Sequence, residues 1–295
     1  MKRTSLREAM RTERPLVTPL AHDALSARLI ERAGFRAFAI GGSALLAARY
    51  ALPDLGLAAL GEMTDGIRDI AAATHLPFVA DGDDGYGDAK SVVRTVEAYE
   101  RLGVGAILLE DQRREHKQPR AEAAKGVCER TEIAQKLRTA LAARRDADML
   151  IIGRTDSYGA LGLDEALARA EQFLALGVDG VFIAGLRTAD EYARVGRTLH
   201  GALLSAAVFE GVGTPWLTPA ELGAMGYGHV SFPSSLIFRA VGTMEQTLRA
   251  LRRHADGAER MAPAADSAHH RALLDDALDV ARWRALEAAH VPTER

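Results

Sequence analysis

Leu76-Pro77-Phe78-Val79-Ala80-Asp81-Gly82-Asp83 and Gly105-Ala106-Ile107-Leu108-Leu109-Glu110-Asp111 are two short apolar runs that each end on a pair of carboxylates. Runs of this length suit strands buried on both faces, as in a parallel sheet. Carboxylates gathered at the carboxyl ends of neighbouring parallel strands have no packing reason to be there. A hard divalent cation, by contrast, needs oxygen ligands in a pocket of that kind. The two stretches together predict a parallel barrel with a magnesium-type site at its rim.

Six further runs of strand length extend the pattern: Leu16 to Leu20, Phe35 to Ile40, Met149 to Ile152, Gly180 to Ala184, Leu203 to Val208 and His229 to Phe232. Stretches of helical period lie between them, such as Leu25, Leu29, Ile30 and Ala33, or Val92, Val93, Val96 and Tyr99. Gly34, Gly103 and Gly177 stand where a helix hands over to the next strand, the position at which a left-handed residue closes a helix. Eight strands alternating with helices predict an α/β fold of the (β/α)8 TIM-barrel type with right-handed crossovers.

Bulk properties narrow the function classes. The chain has 295 residues, 48% of them apolar, enough for one barrel domain with a substantial core. A formal net charge of -3 argues against a general nucleic-acid binder. The single Cys128 excludes a disulfide framework, and no apolar run approaches the roughly 20 residues needed to span a bilayer. The basic start Met1-Lys2-Arg3 is followed by no apolar signal core, so a cytoplasmic location is expected.

Two segments depart from the alternation. Gln112 to Gly126 is polar, rich in Arg and Lys, and too long for an ordinary strand-to-helix connection; it reads either as a mobile lid over the barrel mouth or as a surface loop. After a barrel domain of residues 1–251, residues 252–295 read as a helical extension. Its amphipathic helix from His270 to Ala289 carries Leu273, Leu274, Leu278, Val280 and Trp283, an apolar stripe that suggests a partner subunit.

The ordered series Gly41-Gly42-Ser43, Leu52-Pro53-Asp54-Leu55-Gly56, Asp81-Gly82-Asp83-Asp84-Gly85-Tyr86-Gly87, Glu110-Asp111-Gln112 and Gly153-Arg154-Thr155-Asp156 resembles the isocitrate lyase and phosphoenolpyruvate mutase superfamily. The resemblance spans roughly Ser5 to Arg249. It implies a homotetramer, a dimer of dimers with an exchanged helix, and a bound Mg2+, or Mn2+ in its place. It also implies that Asp81 is the direct metal ligand, that Asp83 and Glu110 hold metal-bound waters, and that Asp54 joins their network. Gly41, Gly42 and Ser43 would cradle the carboxylate and C2 oxygen of a small acid, with Arg154 as its cationic clamp. Chemistry supports these roles, because a planar guanidinium forks onto a carboxylate and exposed amides receive its oxygens. Taken singly, other readings stay open: Gly41-Gly42 as a tight turn, Asp54 as a turn residue, Asp83-Asp84 as a solvated loop, and Arg154 as a structural partner of Asp156 or Glu110. They weaken together, because the polar residues fall at successive strand ends on one barrel face.

The departures from the family pattern bear on the reaction. Lyases of this family carry Lys-Lys/Arg-Cys-Gly-His on the lid, where the Cys protonates the departing enolate. Here the stretch is His116-Lys117-Gln118-Pro119-Arg120, and an amide does not exchange a proton usefully near neutrality. Cys128, ten positions on, reads as a small buried residue. Ala184 and Ala207 stand where the lyases tend to have Glu and Asn, which makes one wall apolar, and the mutases' Lys-Thr-Asn-Ser sequence is absent. The pattern looks most like the oxaloacetate decarboxylase branch. The expected activity is therefore a Mg2+-dependent carbon–carbon lyase on a small 2-oxo or 2-hydroxy acid, through a metal-stabilised enolate, with decarboxylation favoured. Retro-aldol cleavage of an alkylmalate or methylisocitrate-like acid is the alternative; a phosphonopyruvate-type mutase or hydrolase and a noncatalytic metabolite-binding barrel rank below it. Candidate proton carriers are His116 and Tyr86, then Tyr158 and His22. Glu210 after the seventh strand either lines the mouth or is a loop carboxylate.

Overall fold

Eight parallel strands form one sheet in the order β1-β8-β7-β6-β5-β4-β3-β2 in a computed structural model that describes residues 4–118, 126–211 and 213–290. The strands are β1 (Leu16–Pro19), β2 (Phe38–Ile40), β3 (Phe78–Asp81), β4 (Ala106–Glu110), β5 (Leu150–Thr155), β6 (Gly180–Ile183), β7 (Leu204–Ala207) and β8 (Tyr227–Phe232). A parallel bridge between Leu20 and Ala39 joins the two ends of the sheet, so the barrel closes between β1 and β2. All eight expected strands are present. β5 runs on through Gly153, Arg154 and Thr155, and β8 starts two residues earlier than the apolar pattern indicates, because ladder pairing with β4 and β7 carries these residues regardless of polarity.

Period-two alternation divides each strand between two cores. Phe78 and Ala80, Ile107 and Leu109, Ile151, and Val181 and Ile183 join the layer shared with the surrounding helices. Val79, Ala106, Leu150, Ile152, Phe182 and Ala184 join a second cluster with Leu16, Ala39 and Ala207, which fills the barrel interior. This parity fixes the chemistry at the top of the barrel. Asp81 follows Val79 by two residues, Glu110 follows Leu108 and Arg154 follows Ile152, so all three continue interior-facing rows. Gly34, Gly103 and Gly177 all adopt positive φ after their helices, as expected of closing residues.

A polar layer interrupts the barrel core between β1, β7 and β8. Buried His229 is hydrogen-bonded to Thr18 Oγ1 through Nε2 (2.8 Å) and to Ser205 Oγ through Nδ1 (2.7 Å).

The chain divides into two compact units, Met1–Ile237 and Phe238–Arg295. In the second, the expected single helix from His270 to Ala289 is two helices, Ser267–Ala277 and Val280–His290. Asp279 takes a left-handed φ of 56° between them, a conformation that Asp tolerates well, and its carbonyl accepts from Trp283 N–H at the start of the second helix. Leu273, Leu274, Leu278, Trp283 and Leu286 stand exposed in the single chain. No helix among the described residues is long and apolar enough to cross a membrane.

Burial lowers the His229 pKa from 6.5 to about 4. Between these values the unfolded chain binds a proton that the folded chain excludes, so stability is intact above pH 6.5 and is lost as pH falls towards 4. The loss at the acid end is up to about 3 kcal/mol. Urea unfolding of wild type and His229→Gln across this range checks the effect; the variant is expected to show the shallower pH slope.

Candidate active site

Asp81 ends β3, Glu110 ends β4, and Asp83 lies two residues beyond Asp81; one carboxylate oxygen from each lies within 4.8 Å of the others. The turn between them is tightly stitched. Gly82 N–H donates to Leu108 O (2.8 Å), Glu110 N–H to Asp83 O (2.8 Å) and Asp83 N–H to the Asp81 carboxylate (3.1 Å). Asp83 and Tyr86 both have left-handed φ, 46° and 58°, which is local strain held in place by these bonds. Gly85 (φ 81°) is required between them, since a Cβ there would lie 2.5 Å from Val92 Cγ2. The sequence pair Glu110-Asp111 splits by parity. Glu110 points into the barrel, whereas buried Asp111 accepts from Thr155 Oγ1 (2.6 Å), Asp156 N–H (2.8 Å) and Arg169 (3.1 Å), tying β4 to β5. Burial pushes Asp111 up to about 6.

Two buried cations face the carboxylates. Arg154 on β5 contacts Glu110 Oε2 at 2.7 Å and Asp81 Oδ2 at 3.4 Å, donates to Asp156 Oδ1 (2.8 Å), and lies over the Phe182 ring. Both structural pairings left open by the sequence, to Asp156 and to Glu110, are therefore made. Lys117 is the residue that sequence reasoning did not single out. Its ammonium lies 2.5 Å from Asp83, 2.9 Å from Asp54 and 3.7 Å from Glu110, and its side chain is only 6% exposed. Burial raises the Asp81 carboxyl, with Arg154 opposing, and drives Glu110 well above its ordinary value against Arg154 and Lys117. Burial would also raise Asp83, but Lys117, Arg114 and Arg154 together outweigh it and lower that group. For Lys117 burial works downward, and Glu110, Asp83 and Asp54 overcome it, so the amine stays charged.

The cavity beside this cluster is lined by Gly41, Ser43, Asp81 and Arg154 together with Val79, Leu108, Phe182, Ala207, Phe209, His229 and Ser231. Gly41 to Ser43 form the start of the helix Gly42–Tyr50, which has no side-chain cap, so its first-turn amides have no intrahelical partner. Asp54 stands beside Gly42, where a Cβ would lie 3.6 Å from its carboxylate. A larger cleft of about 630 Å³ opens elsewhere, lined by Arg7, Arg11, Arg14, Asp179 and Gly226 among others, and contains none of these groups. Chemistry, not volume, marks the site.

The proposed proton carriers fall elsewhere. The Tyr86 hydroxyl is bonded to Tyr99, whose own hydroxyl donates to Asp81 O (2.8 Å), and burial holds the Tyr86 pKa well above 10. These two rings buttress the end of β3. His116 is exposed on the 3-10 turn Arg114–His116, its ring near Gly126. Glu210 is half-buried, its N–H donating to Ser234 Oγ (2.9 Å), and it does not line the cavity. Tyr158 donates to Glu191 (2.7 Å), and His22 lies 3.8 Å from Asp23. Cys128 is buried, and burial pushes its thiol up to about 11, in keeping with a packing role. Gln118 donates to the carbonyls of His116 and Lys117. Of the expected lid, Gln112 bridges Val127, whereas 119–125, with Pro119 and Arg120, lie outside the described residues.

Comparison with known proteins places these features. A family profile described as phosphoenolpyruvate phosphomutase matches residues 6–252. The chain is 36% identical over 247 residues to 2,3-dimethylmalate lyase of Eubacterium barkeri, covering 84% of this chain and 85% of that one. It is 32% identical over 239 residues to oxaloacetate decarboxylase of Paraburkholderia xenovorans, covering 80% and 79%. A crystal structure of 2,3-dimethylmalate lyase, described as a PEP mutase/isocitrate lyase superfamily member, superposes with a TM-score of 0.87 at 29% identity, covering 97% of this chain and 94% of that one.

Removing Arg154 takes a buried cation away from Glu110, Asp156 and Asp81. Arg154→Met is expected to destabilise the protein by about 3–5 kcal/mol, read from urea unfolding at neutral pH.

Proposed function

The chain belongs to the phosphoenolpyruvate phosphomutase family of the PEP mutase/isocitrate lyase superfamily, and from this we propose that it is a divalent-metal-dependent carbon–carbon lyase for a small 2-oxo acid, acting by decarboxylation of an oxaloacetate-like substrate. The observation that carries decarboxylation is the cavity lining. Among the described residues, its titratable groups are Asp81, Arg154 and His229. His229 is held neutral by burial with both ring nitrogens bonded, and Arg154 does not deprotonate. No described lining group is poised to hand a proton to a departing enolate near neutrality. Loss of carbon dioxide does not require such a group, since solvent can protonate the enol product.

Asp81, Asp83 and Glu110 gather hard oxygen donors that fit Mg2+ or Mn2+ and would hold such an ion between them. Bound there, the cation supplies Lewis-acid stabilisation of negative charge developing on the substrate's C2 oxygen. The remaining work falls to the chain itself. The amides of Gly42 and Ser43 receive one end of the C1 carboxylate, and the N–H groups of Arg154 not committed to Asp156 and Glu110 receive the other. Val79, Leu108, Phe182, Ala207 and Phe209 supply apolar lining that excludes water, and such a lining suits neutral carbon dioxide better than a carboxylate. In the same reading residues 1–251 are the catalytic barrel, and 252–295 provide subunit contacts in a homotetramer.

That apolar wall also favours a second reading, retro-aldol cleavage of an alkylmalate whose methyl groups would lie against Phe182 and Ala207. With Mg2+ and oxaloacetate, pyruvate and carbon dioxide are expected; with 2,3-dimethylmalate, pyruvate and propionate would mark the second reading. Asp81→Asn is expected to lower turnover by about 10²-fold or more, and chelator treatment to abolish it. Chelator-treated protein that keeps full activity would remove the metal from the reading.

A further inference from the structure

The wide cleft at the other mouth of the barrel carries a charge pattern that the acid chemistry above does not use. Leu150 and Tyr227, which begin β5 and β8, line it together with Leu203 just before β7, so it opens at the amino ends of the strands. Asp81, Glu110 and Arg154 stand at or near the carboxyl ends. The cleft volume of about 630 Å³ lies within the roughly 300–1,000 Å³ common for small-molecule sites. The helix Leu6–Thr12 runs along it. Leu6, Ala9 and Met10 are buried in the cluster that fills the barrel interior and fix this helix in place, while Arg7, Arg11 and Arg14 line the cleft. Among the described residues Asp179 is the one carboxylate of the lining, and both its oxygens are already taken. Oδ1 accepts from Arg7 (2.6 Å), and Oδ2 accepts from Ile151 N–H (2.9 Å) and from Arg144. Arg11 and Arg14 are exposed, and no carboxylate among the described residues pairs with either. Arg14 donates through Nε to Met10 O (3.3 Å), which leaves its two terminal nitrogens unspent. Three guanidinium groups thus share one committed carboxylate, in a chain whose formal net charge is -3.

We propose that this cleft is a second binding site, for a small multivalent oxyanion: a phosphate- or carboxylate-bearing metabolite received by Arg11 and Arg14, with Arg7 held beside it by Asp179. A concave wall of one charge sign concentrates ions of the other, and the planar fork of arginine matches two oxygens of a phosphate or carboxylate group. Gly201, Ala202, Gly226 and Gly228 bring no long side chains to the lining, which keeps the cleft open for the body of the ligand. The site calls for no metal and stands independently of the reaction read for the opposite mouth.

Isothermal titration calorimetry of the full chain with inorganic pyrophosphate and with citrate, in the absence of added divalent metal, tests the site. Binding of pyrophosphate alone would mark a phosphate-bearing ligand, of citrate alone a carboxylate-bearing one, and of both a site for either; binding of neither overturns the proposal. Arg11→Gln combined with Arg14→Gln is expected to weaken the bound probe by about tenfold or more, whereas Asp81→Asn is expected to leave it unchanged. Both arginines are exposed, so the double variant is expected to keep the wild-type Tm without ligand, and a saturating probe to raise the Tm of wild type only. Affinity that follows Asp81 rather than the two arginines places the probe at the other mouth and overturns the proposal. So does equal weakening by Arg94→Gln, an exposed arginine outside the cleft, since the attraction would then be diffuse.

Discussion

Charge balance at the top of the barrel is the constraint on which the rest of the site depends. Asp81, Asp83, Glu110 and Asp156 are gathered where water is largely excluded, and none could remain ionised there without compensation. Arg154 and Lys117 supply it from β5 and from the segment after β4. Such pairs are poor sources of net stability, because desolvation offsets most of their attraction. What they provide is geometry: each carboxylate lies against a defined cation and hence takes a defined direction. The strained turn from Asp83 to Gly87 survives because β4 and the Tyr86–Tyr99 pair hold it from behind.

The cavity built on this arrangement mixes two kinds of lining. Asp81, Arg154 and the uncapped helix start at Gly42 stand among Phe182, Phe209 and Ala207, and the Arg154 guanidinium lies over the Phe182 ring. A carboxylate entering it is met by Arg154 and by the first amides of that helix, whereas contact with the apolar side chains alone would leave it unpaired.

Much of this architecture was legible in the chain, and the reasons differ by element. The strands were visible because a barrel strand buried on both faces needs a continuous apolar run, and the helices because their closing glycines sit at fixed places. Asp81, Glu110 and Arg154 could be placed on one face because strand parity carries an interior row to its end. The break in the C-terminal helix was not visible, since Leu278-Asp279 interrupts no apolar period and only the backbone angle at Asp279 reveals it. Lys117 was hidden for another reason. Its partners Asp83 and Asp54 lie 34 and 63 positions away, and no local pattern distinguishes a lysine bound for a buried cage from its solvated neighbours in a basic stretch.

The join between β1 and β2 has a consequence for the whole wall. Elsewhere the strands share ladders of two to five paired residues, whereas here the circle is completed by the single Leu20–Ala39 bridge and the bond from Ala21 N–H to Ala39 O. Leu20 and Ala39 both line the cavity, and Gly41 follows directly. The thinnest seam of the barrel therefore runs beside Gly41 and the start of the helix Gly42–Tyr50. Few hydrogen bonds hold the wall together there, so local opening of the barrel costs least at that seam, whereas β3 and β4 are tied by a continuous ladder under the acidic rim.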